Sequence, residues 1–266
     1  PWRTAASQGR PGPLWNSCDP QRAKPSCGAT DSSRHERCSM NEFAAAWPAL
    51  ALSLKVSLWA SGITLVLGTA LGYLLARGRF PGRELLDTLL TLPMVLPPTV
   101  LGYYLLVLIS RRSALGGWLD AAFDVQLVFT WQAAVIAATV VTLPLVFKPA
   151  RTAFEGVDHR VESAARTLGL PDWAVFLRVT LPLAWPAILA GLLLAFARAM
   201  GEFGATLMVA GSIPGQTQTL SAAIYEAVQA GQDGRALFLV VVMTVVCLAV
   251  LLAAGRLRAN TSRGKA

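Results

Sequence analysis

Two charged residues stand inside an otherwise apolar run. Arg198 and Glu202 are the only charges between Val179 and Ala210. Four residues apart, they share one face of a helix and can pair with each other. Charges inside an apolar layer are costly and are usually paired or turned towards a cavity. The pair is therefore either self-satisfied or placed to meet a polar solute. Thr206 lies four residues further along the same face. A second group, Cys18, Cys27, Cys38 and His35, sits near the start of the chain, with cysteine spacings of nine and eleven. A zinc site would want closer ligand pairs. His159 is the only other histidine. The sequence has no Gly-x4-Gly-Lys-Ser/Thr loop, so ATP binding by a P-loop is excluded, and it has no His-Glu-x2-His. No nucleophile stands with a base. No enzyme and no cofactor of its own is expected.

The elements that would hold Arg198 and Glu202 are membrane helices. Of 266 residues, 54% are hydrophobic and only 14% are charged. Soluble domains carry about 25% charged residues. Five windows are free of charge: 56–76, 88–110, 125–147, 179–197 and 236–255. About 20 apolar residues cross the roughly 30 Å hydrocarbon layer. In that layer the backbone must satisfy its own hydrogen bonds, so long apolar runs read as helices. Buried core helices of a soluble protein are typically shorter and amphipathic.

The net charge of +8 does not indicate nucleic acid, because its distribution is one-sided. Arg77, Arg79 and Arg83 follow the first span. Lys148, Arg151, Arg160, Arg166 and Arg178 lie in the long loop after the third. Arg256, Arg258, Arg263 and Lys265 lie in the tail. Only Arg111, Arg112 and Arg235 occupy the opposite loops. This asymmetry places the first loop, the long loop and the C-terminus in the cytoplasm. Five spans then leave the N-terminus outside.

The expected spans are about 48–76, 86–109, 127–147 (ending at Pro149), a fourth from near Pro186, and 236–255. Gly68 and Gly72 in the first permit close helix packing, within one subunit in preference to a dimer. Pro93, Pro97 and Pro98 in the second each remove a backbone donor. That helix is either broken to line a pathway or simply kinked. In the cytoplasmic segment, about 148–185, Asp158 can cap a helix beginning near His159. Gly169 suits its C-terminal cap and Pro171 the start of a second short helix. Residues 209–234 read as an outer loop, with a short surface or re-entrant helix within Gln216–Gln232. Cys247 reads as a packing residue of the last span.

Residues 1–39 are rich in Pro, Ser, Gly and Arg, without apolar periodicity, and read as a disordered extension. They lack the apolar core of a signal peptide. The chain opens on Pro1, and Met40 is the expected natural start of a membrane domain covering 40–266.

Fixed offsets mark the long loop: Ala164-Ala165, then Gly169, nine residues, and Val179-Thr180-Leu181-Pro182. This resembles the coupling loop of ABC-transporter permeases, whose pattern is Glu-Ala-Ala, three residues, Gly, nine residues, Ile-x-Leu-Pro. Ser163 stands at the glutamate position, with Glu162 one residue earlier, and Val179 replaces isoleucine. Segments 92–106, 153–169 and 196–220 further resemble the molybdate branch of binding-protein-dependent permeases. The resemblance runs from about Leu52 to Arg258.

The resemblance implies a type I ABC importer permease-like bundle of five (at most six) transmembrane helices in a bacterial inner membrane. It implies a homodimer of permeases, two ABC ATPase subunits that bind ATP and magnesium, and a periplasmic molybdate-binding protein. Glu162, Ala164, Ala165, Gly169, Leu181 and Pro182 would couple to the ATPase. Pro97, Pro98, Thr99, Arg198, Glu202 and Thr206 are the pathway or gate candidates. Sulfate, thiosulfate or tungstate permeases are the alternatives, since the Gly-Glu-Phe/Tyr-Gly motif is shared with sulfate permeases. A secondary transporter should show internal repeats, and none is visible.

Reporter fusions after Arg83, Arg178 and Arg258 should all report cytoplasm. A periplasmic signal after Arg178 would overturn both the topology and the assignment of the loop.

Overall fold

A computed structural model describes residues 32–78, 80–111, 113, 116–117 and 127–263. Cys18 and Cys27, Arg79, Arg112 and Lys265, used in the sequence arguments, lie outside the described residues. The chain divides into two units, 1–45 and 46–266. In the first, the described residues are helical from Ser32, where the sequence reads as irregular to residue 39.

Helix α1 covers Ser32–Arg77, with an apolar span over Ala46–Arg77. Helices α2 (Arg83–Val95) and α3 (Pro98–Ile109) follow. Helix α4 covers Trp131–Glu155 and α5 His159–Thr167. Helix α6 runs over Asp172–Met200. Two short helices, α7 (Gly204–Ala210) and α8 (Leu220–Gln229), lead to α9, Asp233–Arg263. Four helices are long and apolar enough to cross a membrane, and the α2–α3 pair would make a fifth span.

The second span takes the broken of its two alternatives, and two further boundaries differ from the sequence reading. The second span is broken: α2 and α3 meet at 116°. Leu96 and Pro97 each precede a proline, which drives the preceding residue out of helical conformation. Both are extended, with ψ of 140° and 136°. The third span does not end at Pro149 but carries Pro144 and Pro149 inside it to Glu155. The fourth span does not start near Pro186. It begins at Asp172 and passes through a π-helical stretch, Phe176–Thr180, which joins the second short helix of the loop to the span without a break. The loop proper shrinks to residues between Glu155 and Asp172.

The central packing is α4 against α6 and α1. Ala133, Ala134, Ala137 and Ala138 of α4 are fully buried, so small side chains let neighbouring backbones close in. A Cβ at Gly72 would come within 2.9 Å of Ala150, and one at Gly68 within 3.0 Å of Val146. Both glycines therefore serve packing within the chain, as expected. Thr64 and Thr142 share a buried hydrogen bond of 3.2 Å between α1 and α4. The Ser53 hydroxyl accepts from the Leu220 amide at 2.7 Å, tying α8 to α1. The expected short helix within Gln216–Gln232 is α8, N-capped by the Thr219 hydroxyl.

Gly191 is the tightest of these contacts. A Cβ there would lie 2.5 Å from the Leu145 carbonyl oxygen. That carbonyl is four residues before Pro149, which has no N–H to offer it. The glycine backbone of α6 covers the oxygen instead, an approach suited to a Cα–H···O contact. Gly191→Ala should destabilise the folded domain by about 1–3 kcal/mol through overpacking. Thermal unfolding in detergent should show a lower midpoint than for the parent. An unchanged midpoint would mean that the helices separate freely there.

Candidate functional site

The loop between α4 and α6 is built by local signals. The Asp158 carboxylate caps α5, accepting from the Arg160 amide at 2.8 Å. Helix α5 closes on Gly169, whose φ is +83°. The Gly169 amide donates to the Arg166 carbonyl and the Leu170 amide to the Ala165 carbonyl. These are the two bonds of a Schellman motif. Pro171 then opens the first turn of α6. Across the turn, the Arg166 guanidinium meets Asp172 at 2.8 Å, and that hydrogen bond holds the guanidinium pKa above its ordinary value.

The segment has two faces. Val161, Leu168, Trp173 and Leu177 are exposed, Leu168 at 83% and Trp173 at 66%. Ala165, Ala174 and Val175 are buried on the other side. Among the residues matched to the coupling motif, Ala164, Gly169 and Pro182 are exposed, while Leu181 is half-buried. Glu162 is the surprise. As a docking residue it should be a surface group, yet it is only 4% exposed. Its carboxylate turns inward, pairs with Arg77 at the end of α1, and accepts the Thr180 hydroxyl at 2.8 Å. It is an internal tie between three elements.

Charged residues fix the contacts of the N-terminal half of α2. Asp87 meets Arg151 at 2.6 Å and Lys148 at 3.1 Å, and Arg83 pairs with Glu155. No residue of α2 is buried, so these ion pairs, rather than core packing, hold it against α4.

The pathway candidates divide in two. Arg198 and Glu202 pair at 2.7 Å, as their spacing allowed. The other Glu202 oxygen accepts the Ala205 amide at 3.0 Å and so caps α7, while the residue itself is 2% exposed. Thr206 is also buried. Pro97, Pro98 and Thr99 are exposed, and the Arg198 side chain is 38% exposed. The two broken helices meet here. A Cβ at Gly204 would lie 3.0 Å from Pro98, and one at Gly102 2.8 Å from Ala205. The α2–α3 break and the α6–α7 break are thus a single seam.

Sequence reasoning missed Arg77 and Thr180 as site residues, counting Arg77 only among topology charges. It also missed the apolar crest of Leu168 and Trp173. The pairing of Arg77 with Glu162, 85 positions apart, left no local signal. The crest did leave one: a tryptophan and leucines in a loop otherwise rich in charge.

Gly169→Val puts a β-branched residue at positive φ, a strain of about 1–3 kcal/mol. A Cβ at Gly169 would meet nothing within 4 Å, so the effect is conformational and confined to the turn. Membrane levels should stay normal and solute uptake should fall severely. Parental uptake would show that the turn does not matter to activity.

Residues 68–263 match the model of the family described as binding-protein-dependent transport system inner membrane component. The chain is 43% identical over 219 residues to the molybdenum transport system permease protein ModB of Escherichia coli, covering 82% of this chain and 96% of that one. It is 37% identical over 218 residues to the sulfate transport system permease protein CysW of a Synechocystis species, covering 82% and 79%. In fold it is similar to a chain of a bacterial alginate ABC transporter crystallised with an alginate-bound periplasmic protein. The TM-score is 0.64 at 17% identity, over 78% of this chain and 76% of that one.

Proposed function

The chain belongs to the family of binding-protein-dependent transport system inner membrane components, and from that premise we propose that it is the membrane-spanning permease subunit of an ATP-driven molybdate importer. The observation that carries the reading is the 43% identity to a molybdenum permease over 219 residues, against 37% to a sulfate permease over 218. The chain is a multi-pass inner-membrane protein and a transport subunit, and ATP is hydrolysed in a separate subunit.

The family supports the following partners. A second copy completes the pathway, and two ATPase subunits dock on the cytoplasmic loops, carrying ATP and magnesium. A periplasmic binding protein delivers the oxyanion. The N-terminus lies outside and the C-terminus in the cytoplasm, in keeping with the charge asymmetry. The crest of Val161, Leu168, Trp173 and Leu177 is the apolar face offered to the ATPase. A large exposed tryptophan at a polar loop is the kind of anchor that dominates an interface. ATP-driven closure of the ATPases moves this crest, and the bundle switches between two packings biased by partner binding. The seam at Pro98 and Gly204 is the place where such a switch meets the solute, because both helices there are already interrupted. Arg198, partly exposed beside the seam, supplies positive charge for an oxyanion, with Glu202 as its resting counter-ion.

The test is uptake by vesicles holding the chain with its ATPase, given the binding protein and molybdate, tungstate or sulfate. Molybdate should accumulate in an ATP-dependent way. Preferential sulfate uptake would move the chain to the sulfate branch. Leu168→Ala with Trp173→Ala should reduce co-purified ATPase about tenfold or more, the effect expected of anchor residues. Undiminished ATPase recovery would remove the crest from the interface.

A further inference from the structure

Glu162 carries more contacts than a loop carboxylate needs. It lies in the first turn of α5 and faces inward, with its side chain 5% exposed. One oxygen receives the Arg77 guanidinium and the Thr180 hydroxyl, the latter at 2.8 Å. The other lies 3.6 Å from His159 Nδ1, and Arg77 Nη1 lies 2.8 Å from the same ring nitrogen. Arg77 is the last residue of α1, and Thr180 ends the π-helical stretch of α6. One carboxylate therefore binds the base of the first span, the loop helix and the root of the fourth span.

Aromatic packing supports the same junction. Tyr73, one turn before Arg77, contacts Phe154 near the end of α4 with ring centroids 5.4 Å apart. It also contacts Phe176, at the start of the π stretch, at 4.6 Å. Phe154 is fully buried. Four elements thus converge within one helical turn of Arg77. The apolar crest points the opposite way, so the surface that receives force and the group that passes it on are separate.

We infer that the Arg77–Glu162–Thr180 cluster is the transmission joint of the loop: Glu162 is a positioning residue that makes α5, the end of α1 and the root of α6 move as one body. This rests on the reading of the chain as a permease. A directional ion pair with a second hydrogen bond fixes the angle of α5 against both spans. Apolar contacts alone have no preferred direction and would let the helix slide. A buried carboxylate also cannot leave its partners without a large desolvation cost, so the joint stays closed while the spans move.

The experiment uses the whole complex, with ATPase, binding protein and molybdate, and compares the parent with Glu162→Gln and Arg77→Gln. It reads ATPase recovery, ATP hydrolysis and molybdate uptake together. ATPase recovery and basal hydrolysis should stay near parental, because the crest is untouched. Uptake should fall, and ATP consumed per molybdate should rise about fivefold or more, the lower end of a typical coupling free energy between sites. A purely structural role would instead lower membrane levels and leave that ratio unchanged. If a single variant fails to reach the membrane, Arg77→Met with Glu162→Met removes both charges and should restore the level. The ratio in that double variant should still be raised. A parental ratio in the variants that assemble, or loss of ATPase from Glu162→Gln, would overturn the inference. Absence of molybdate uptake by the parental complex would instead overturn the functional reading itself.

Discussion

A backbone amide or carbonyl inside hydrocarbon has no water to turn to. That constraint explains most of what is unusual in this chain, which is rich in proline yet built of helices. Three interruptions have a visible internal substitute. The Leu145 carbonyl, deprived of a partner by Pro149, is covered by the Gly191 backbone. The start of α7 is capped by the Glu202 carboxylate, and the start of α8 by the hydroxyls of Ser53 and Thr219. The small residues of α1, α4 and α6 then follow, since only short side chains let one helix reach the exposed backbone of the next.

The same constraint explains how the charged residues are used. In the sequence Arg198 and Glu202 read as either self-paired or placed to meet a solute, and in the structure one Glu202 oxygen holds a helix end and the other holds the arginine. A carboxylate that caps a broken helix in a membrane needs a cation beside it, because its charge is otherwise uncompensated. The ion pair therefore serves the fold, and its partly exposed member is the guanidinium.

Much of this was legible in the residues themselves. Charge-free windows located the spans, and the Asp158 cap and the Gly169 turn were correctly placed because both are short-range devices. Span boundaries were less legible. Prolines 149 and 186 looked like helix boundaries, yet both lie inside helices, and at Pro149 the Gly191 backbone covers the carbonyl it frees. The π-helical stretch that carries the loop into α6 has no sequence signature of its own. The inward turn of Glu162 could not be foreseen either, since its partner lies 85 positions away and arrives only when α1 packs on α4. Motif spacing marked out the loop but could not tell which face each member occupies.

The two faces of the loop are made of different materials. The outer one is a few large apolar side chains, held by no directional bond within the chain. The inner one is a charged knot in which each group depends on the others. Substitutions can therefore accumulate outside one at a time, each shifting affinity for a partner slightly. Inside, a change in one residue requires a simultaneous change in another. The loop is in this sense a replaceable cover on a fixed frame: over evolutionary time, or by engineering, its outer face can be rewritten while its inner bonds are inherited intact.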